Sequence, residues 1–112
     1  MDLAIETRNE NGIRHIVLRG EFDLAAVPAF EDRIAKAEAE SPSVILIDLT
    51  ALEFMDSSGL RALVSADDRA RRAERRFAIV PGPPAVRRVF EITQLDQRLD
   101  LVEDASSVSV SG

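Results

Sequence analysis

The sequence contains no cysteine, and its single histidine is His15. The missing thiols exclude disulfide bridges and thiolate metal sites, and one imidazole among scattered carboxylates shows no metal-ligand spacing. No apolar run approaches the roughly 18 residues that a membrane-spanning helix requires. The amino terminus also shows no apolar signal segment. We therefore expect a cytoplasmic protein that needs no metal, cofactor or membrane.

Basic residues are outnumbered, since 14 Lys and Arg stand against 20 Asp and Glu, so the formal net charge is -6 and the isoelectric point lies near 4.8. Nucleic acids and anionic membranes attract clusters of Lys and Arg, so neither is expected as a direct partner. The run from Arg69 to Arg76 is the local exception, but Ala70, Ala73 and Glu74 interrupt it. We interpret this run as the solvated end of a helix.

The first third of the chain predicts a β-hairpin followed by a helix. Leu3–Thr7 and Ile13–Arg19 alternate apolar and polar residues, and Asn9–Gly12 between them supplies turn residues. Asp23 can cap the helix that follows, which runs to about Glu40 because its apolar residues recur at helical spacing.

Alternating strands and helices are predicted for the rest of the chain. Val44–Ile47 and Phe77–Val80 are apolar runs typical of central strands that are covered on both faces. A second helix is expected from Ser57 to about Arg72, and Pro84 is suited to the first turn of a short third helix. Leu99–Val102 predicts a final short strand.

These elements place the chain in the α/β class, as one domain over residues 1–112. The order β-β-α-β-α-β-α-β predicts a mixed, mostly parallel sheet with helices packed against it, because strands separated by helices pair in parallel. Residues 103–112 are rich in serine, and their sequence leaves open whether they form a frayed tail or a short helix.

The segment Asp56–Gly59 (DSSG) lies between a predicted strand and a predicted helix, a common position for catalytic or binding residues. A serine nucleophile elbow reads G-x-S-x-G, but Met55 occupies the position of the leading glycine before Ser57. His15 lies in a predicted strand with no sign of proximity to act as a base, so we interpret it as structural. Glycine loops that bind phosphate are absent as well. Catalysis is therefore not expected.

Two other interpretations of this segment remain open on the residues alone. Asp56 or Ser57 can cap the second helix, an effect typically of about 1 kcal/mol. However, a cap needs one such side chain, and three stand in a row before Gly59, which would let another surface approach the backbone closely. This arrangement also suits a contact site at a helix N-terminus, where a phosphate would be tolerated.

Three segments together resemble the STAS domain, and specifically the bacterial anti-sigma factor antagonists. Leu52–Leu60 (LEFMDSSGL) is similar to the family signature, and Gly20–Asp23 (GEFD) resembles a second motif that usually reads Gly-Glu-Leu-Asp. Pro84–Phe90 resembles the third helix, so the likeness covers residues from about 3 to 103. The departures are Phe22, Gln94 and a C-terminal segment that is short for a full fourth helix.

The resemblance implies a non-enzymatic regulator that binds an anti-sigma factor, itself an ATP-dependent serine kinase, and thereby frees a sigma factor. That kinase would phosphorylate the first serine of the motif, which is Ser57, and a serine phosphatase would reverse the modification. The residues expected to bind the partner are Asp23, Asp56, Ser57, Ser58, Gly59 and Arg61. Leu60 is assigned to the core.

An alternative of a different class is a STAS-like adaptor subunit in a signalling assembly or a membrane transport complex. In that case the serines would be contact residues that are never phosphorylated. A hydrolase is the third and weakest hypothesis, and it would require loss of turnover in Ser57→Ala.

Overall fold

The computed structural model describes residues 2–109, and within them it shows one five-stranded sheet covered by three α-helices. The strands lie side by side in chain order: β1 (Leu3–Glu10), β2 (Ile13–Phe22), β3 (Val44–Met55), β4 (Arg76–Val80) and β5 (Asp100–Leu101). The helices are α1 (Val27–Ala39), α2 (Ser57–Arg72) and α3 (Pro84–Ile92). The predicted α/β class and order of elements are confirmed.

The predicted hairpin is confirmed, and its strands are longer than the alternating pattern indicates. β1 pairs antiparallel with β2 through a two-residue connection, Asn11 and Gly12. Their φ angles are 54° and 79°, the left-handed conformation that both positions of a type I′ turn require and that Asn and Gly adopt readily.

The remaining neighbours, from β2 to β5, pair in parallel. Residues of α1, α2 and α3 all belong to one core cluster, so the three helices lie on the same face of the sheet, as expected for right-handed crossovers between neighbouring parallel strands. The main core lies between that face and the helices, where Phe30, Leu63 and Phe90 are fully buried.

β3 continues far beyond the predicted Val44–Ile47, as far as Met55. It stays paired with β2 to the end, where Met55 lies opposite Phe22, and the register shifts twice along the way. Such irregularities are β-bulges, which bend a strand and redirect its side chains. The apolar run therefore marks the part of β3 that is buried on both faces, whereas in the second half Leu49, Leu52 and Met55 are buried in the main core and more exposed residues separate them.

The C-terminal tail lies on the other face of the sheet. A 3-10 turn at Ala105–Ser107 is capped by Asp104, and Val108 then packs on a smaller apolar cluster that includes Ile13 and Leu46. Over residues 103–109 the tail thus contains one short 3-10 turn and is anchored on the sheet by Val108. Residues 110–112 lie outside the described part of the chain.

The arginine run near the end of α2 requires a correction, because it is not simply solvated. Arg69 donates to Glu38 at 2.9 Å and to Glu31 at 3.3 Å, which ties α2 to α1. Three further arginines bind within the chain: Arg71 to Asp67, Arg75 to the Pro42 carbonyl and Arg76 to Asp100. Most arginines of this run therefore form hydrogen bonds or ion pairs within the chain.

Candidate functional site

The site predicted around Asp56 lies where the parallel strands β2 and β3 end side by side. The backbone N–H of Asp56 donates to the carbonyl oxygen of Phe22 at 3.3 Å. Asp23 follows Phe22 and Ser57 follows Asp56. Two polar segments that are distant in sequence therefore meet at the carboxyl ends of β2 and β3. The carboxyl ends of parallel strands commonly position functional loops in this way.

Asp56 is the N-cap of α2, as predicted. Its Oδ1 accepts from the backbone N–H of Ser58 at 2.9 Å and from that of Gly59 at 3.2 Å. Two of the four unpaired N–H groups of the first turn are thereby satisfied, and the carboxylate also complements the positive end of the helix dipole. The cap fixes where α2 begins and hence the position of Ser57.

Asp23 is also a cap, but for a different element from the one predicted. Its Oδ1 accepts from the Ala26 N–H at 3.2 Å and so closes a 3-10 turn over Leu24–Ala26. The α-helix α1 begins only at Val27, with Pro28 in its first turn, where a missing N–H costs nothing. The extra turn leaves the side chain of Leu24 70% exposed beside the site.

Gly59 is buried, which corrects the expectation that another molecule approaches its backbone. A Cβ at this position would lie 2.6 Å from the Phe22 carbonyl oxygen and 2.9 Å from the Phe22 ring. The surface that approaches Gly59 closely is thus the chain's own Phe22. The glycine lets the first turn of α2 sit directly on the end of β2.

The two serines differ in exposure. Ser57 is the first residue of α2 and is exposed, and its hydroxyl makes no hydrogen bond to any residue between 2 and 109. Ser58 is half-buried and points into a shallow groove. Leu60 is buried in the core as predicted, at 7% exposure.

The groove lies between the starts of α1 and α2 and has a volume of about 190 Å³. Its lining consists of Leu24, Val27, Glu31, Ser58, Arg61, Ala62 and Ser65. Arg61 is exposed and forms no ion pair within residues 2–109, so its guanidinium remains available to a partner. Apolar surface beside an unpaired charge is typical of a protein contact site.

Sequence reasoning missed two apolar residues at this end of the sheet, Leu24 and Phe54, which is 49% exposed. Leu24 could have been found, since it directly follows a capping aspartate and lies outside the helical spacing of the α1 core. Phe54 carried no such signal. In a regular strand it would share a face with the buried Leu52, and the bulge in β3 is what turns it outward.

The single histidine does not lie at this site. His15 is 9% exposed in the first half of β2, opposite Leu46, which agrees with a structural role. Within residues 2–109 no cluster of three or more His, Cys, Asp or Glu side chains could hold a metal ion. No helix in this part of the chain is long and apolar enough to cross a membrane.

The combination of a β-β-α-β-α-β-α-β domain and a capped Asp-Ser-Ser-Gly turn places the chain in a known family. The model of the STAS domain matches residues 4–107, and the chain belongs to this family. It is 28% identical over 99 residues to the anti-sigma-F factor antagonist RsfB of Mycobacterium tuberculosis, covering 88% of this chain and 80% of the relative. It is 26% identical to the anti-sigma-B factor antagonist of Staphylococcus aureus, covering 92% and 95% of the two chains.

A solved structure of similar architecture is that of an anti-sigma factor antagonist from Mycobacterium paratuberculosis. The two superpose with a TM-score of 0.88 at 30% identity, over 95% of this chain and 90% of that one. These relatives are named as regulators rather than enzymes.

Proposed function

We propose that this protein is a cytoplasmic anti-sigma factor antagonist that binds an anti-sigma factor through the surface formed by Asp23 and Asp56–Ser58. The observation that carries the proposal is Ser57, an exposed hydroxyl at the start of a capped helix that forms no hydrogen bond within residues 2–109. The next residue, Ser58, lines a groove together with the exposed Leu24. The names of the relatives support the same role.

Within this surface the residues have different tasks. Leu24 supplies apolar area, and Ser58 and Arg61 line the adjacent groove. Asp23 and Asp56 hold the two loops in shape through their caps and present their remaining carboxylate oxygens to the partner. Gly59 contributes from beneath, by allowing α2 to pack on Phe22.

The anti-sigma factor is proposed to be an ATP-dependent serine kinase that phosphorylates Ser57, and a serine phosphatase restores the hydroxyl. A phosphate adds about -1.5 to -2 charges and three strong acceptor oxygens. Inside this chain the helix N-terminus tolerates that charge, so the fold is retained. Across an interface the same group must be desolvated, and any acidic partner surface repels it.

A loss of about 3 kcal/mol in binding free energy would weaken the complex more than a hundredfold. This is sufficient for a switch that needs no large conformational change. The unmodified form binds the anti-sigma factor and thereby frees the sigma factor, whereas the phosphorylated form dissociates from the anti-sigma factor.

The test is to incubate the purified chain with its cognate anti-sigma factor and ATP. Mass spectrometry should detect one added phosphate, which maps to Ser57 and is absent from Ser57→Ala. In a binding assay without ATP, Ser57→Ala should bind like the wild type, whereas Ser57→Asp should bind at least about tenfold more weakly. Ser43→Asp is the matched control, because Ser43 is exposed at the opposite end of β3.

Tight binding without phosphorylation would favour the adaptor role instead of the switch. Equal affinities of Ser57→Ala and Ser57→Asp would refute the electrostatic mechanism.

A further inference from the structure

β1 forms a long, regular edge of the sheet. Within residues 2–109 it pairs with β2 alone, in an unbroken register along all eight residues from Leu3 to Glu10, and it contains neither proline nor glycine. In an antiparallel ladder alternate residues face the neighbouring strand, so half of its N–H and C=O groups point away from the sheet. Such an edge can accept another strand.

The charges along this edge are unevenly distributed. Arg8 is the one basic residue of β1, and its contact with Glu10 at 3.4 Å is a surface pair in which both side chains are about half exposed. Pairs of this kind contribute little and exchange partners easily.

An acidic residue lies at the other end of the strand. Asp2, which directly precedes Leu3, is exposed and forms no ion pair within residues 2–109. β1 is therefore preceded by Asp2, which has no ion pair within residues 2–109, and near its other end it carries Arg8 in a weak surface pair. An antiparallel copy of the same strand would bring the two together.

We propose that the outer edge of β1 pairs antiparallel with β1 of a second copy of this chain, about a two-fold axis at Ile5. Arg8 of each copy then lies opposite Asp2 of the other. Ile5, which packs on the main core from the edge, lies opposite its own copy and gains apolar contact there. The two sheets become one continuous sheet, and no residue of this strand pairing belongs to the proposed contact surface around Ser57.

Other registers are less favourable. Residues that lie opposite each other in an antiparallel ladder point their side chains to the same face of the sheet. The two-fold axis must therefore pass between the two copies of one and the same residue. An axis at Glu6 or at Arg8 sets like charges directly against each other. An axis at Thr7 pairs Glu6 with Arg8, but it crowds two copies of Arg33, each of which donates to Thr7 Oγ1 at 3.0 Å.

The pairing is tested first by sedimentation equilibrium of the purified chain, from about 10 μM to 1 mM, as suits a small interface. A monomer–dimer equilibrium is expected, and Arg8→Glu should raise its dissociation constant roughly tenfold or more. Arg72→Glu, the same charge change at an exposed position on α2, should have no effect. The combination of Asp2→Arg with Arg8→Glu should restore the dimer. A chain that stays monomeric throughout overturns the proposal.

The absence of native cysteine permits a direct test of the register. With a short thiol cross-linker, Ile5→Cys should give covalent dimers that form more slowly on dilution, and Thr7→Cys should give few. Efficient dimers from Thr7→Cys, or rescue of Arg8→Glu by Glu6→Arg rather than by Asp2→Arg, would overturn the assigned axis. Circular dichroism of each variant confirms that it is folded.

Discussion

The hydrogen bond from the Asp56 N–H to the Phe22 carbonyl oxygen, at 3.3 Å, joins the ends of β2 and β3. Each of these residues is adjacent in sequence to a segment of the proposed contact surface, Asp23–Leu24 on one side and Ser57–Ser58 on the other. The two segments are therefore held at a fixed separation by the sheet itself. A partner meets a preformed surface and does not have to order it, which reduces the entropic cost of binding.

Gly59→Ala should destabilise the domain even though alanine favours helices. The new Cβ would lie within 2.6 Å of the Phe22 carbonyl oxygen, so α2 or the end of β2 must shift. We expect the free energy of unfolding to fall by about 1–3 kcal/mol, as for other overpacked sites. Urea denaturation measures this change, with Ser65→Ala on the exposed side of α2 as control. An equal or higher stability of Gly59→Ala would contradict the close packing.

Asp56→Ala removes the acceptor for two backbone N–H groups of α2. The free energy of unfolding should decrease by about 1 kcal/mol, the usual cost of losing an N-cap. Asp56→Asn keeps an oxygen in the same place and should lose less. Thermal or urea unfolding distinguishes the two variants, and identical losses would show that the charge rather than the hydrogen bonds provides the stabilisation.

Arg69→Gln breaks the contacts of α2 with Glu31 and Glu38 of α1. Because this arginine is partly buried and serves two carboxylates, we expect a loss of about 1 kcal/mol in stability. Arg72→Gln, which has no ion pair within residues 2–109, should change stability by less than about 0.5 kcal/mol. Chemical denaturation at low and high NaCl checks both values. The effect at Arg69 should shrink with salt, and equal effects at the two positions would rule out the proposed contact.

Leu24→Ser should weaken binding of the anti-sigma factor while leaving the fold intact. The side chain is 70% exposed, so the free chain loses little packing, whereas the complex loses buried apolar area. Ile92→Ser is the matched control, because Ile92 is 73% exposed in the last turn of α3, away from the site. Isothermal titration calorimetry should show at least about a tenfold loss for Leu24→Ser alone. If both variants bind normally, Leu24 lies outside the interface.

The tail should detach from the sheet at acid pH. Hydrogen bonds from the Ser106 hydroxyl, and then from its backbone N–H, hold the pKa of Asp104 below its ordinary value. A lowered folded-state pKa means that the stabilisation is present above the ordinary pKa of aspartate and is lost as the pH falls through the lower, folded value. The NMR signal of the Val108 methyl groups reports the docking.

Asp104→Asn keeps an acceptor but cannot titrate, so its Val108 signal should not show this acid transition. A transition of the same midpoint in Asp104→Asn would assign the change to another group.

The sequence by itself determined the features that depend on neighbours along the chain. The Asn11–Gly12 turn, the Asp56 cap, the start of α2 at Ser57 and the order of strands and helices all follow from conformational preferences or side-chain hydrogen bonds that span a few residues. The resemblance of the Asp-Ser-Ser-Gly segment to a family signature added the expected role of Ser57.

The tertiary structure decided what depends on distant segments. Gly59 faces Phe22, 37 positions earlier, and not a partner; Arg69 is held by α1; and a bulge opposite β2 turns Phe54 outward. The spacing of apolar residues specifies which side of a helix or strand a residue lies on. It carries no information on which distant segment the fold packs against that side. Packing and strand register between remote segments supply that information, and they made one contact surface from two separate loops.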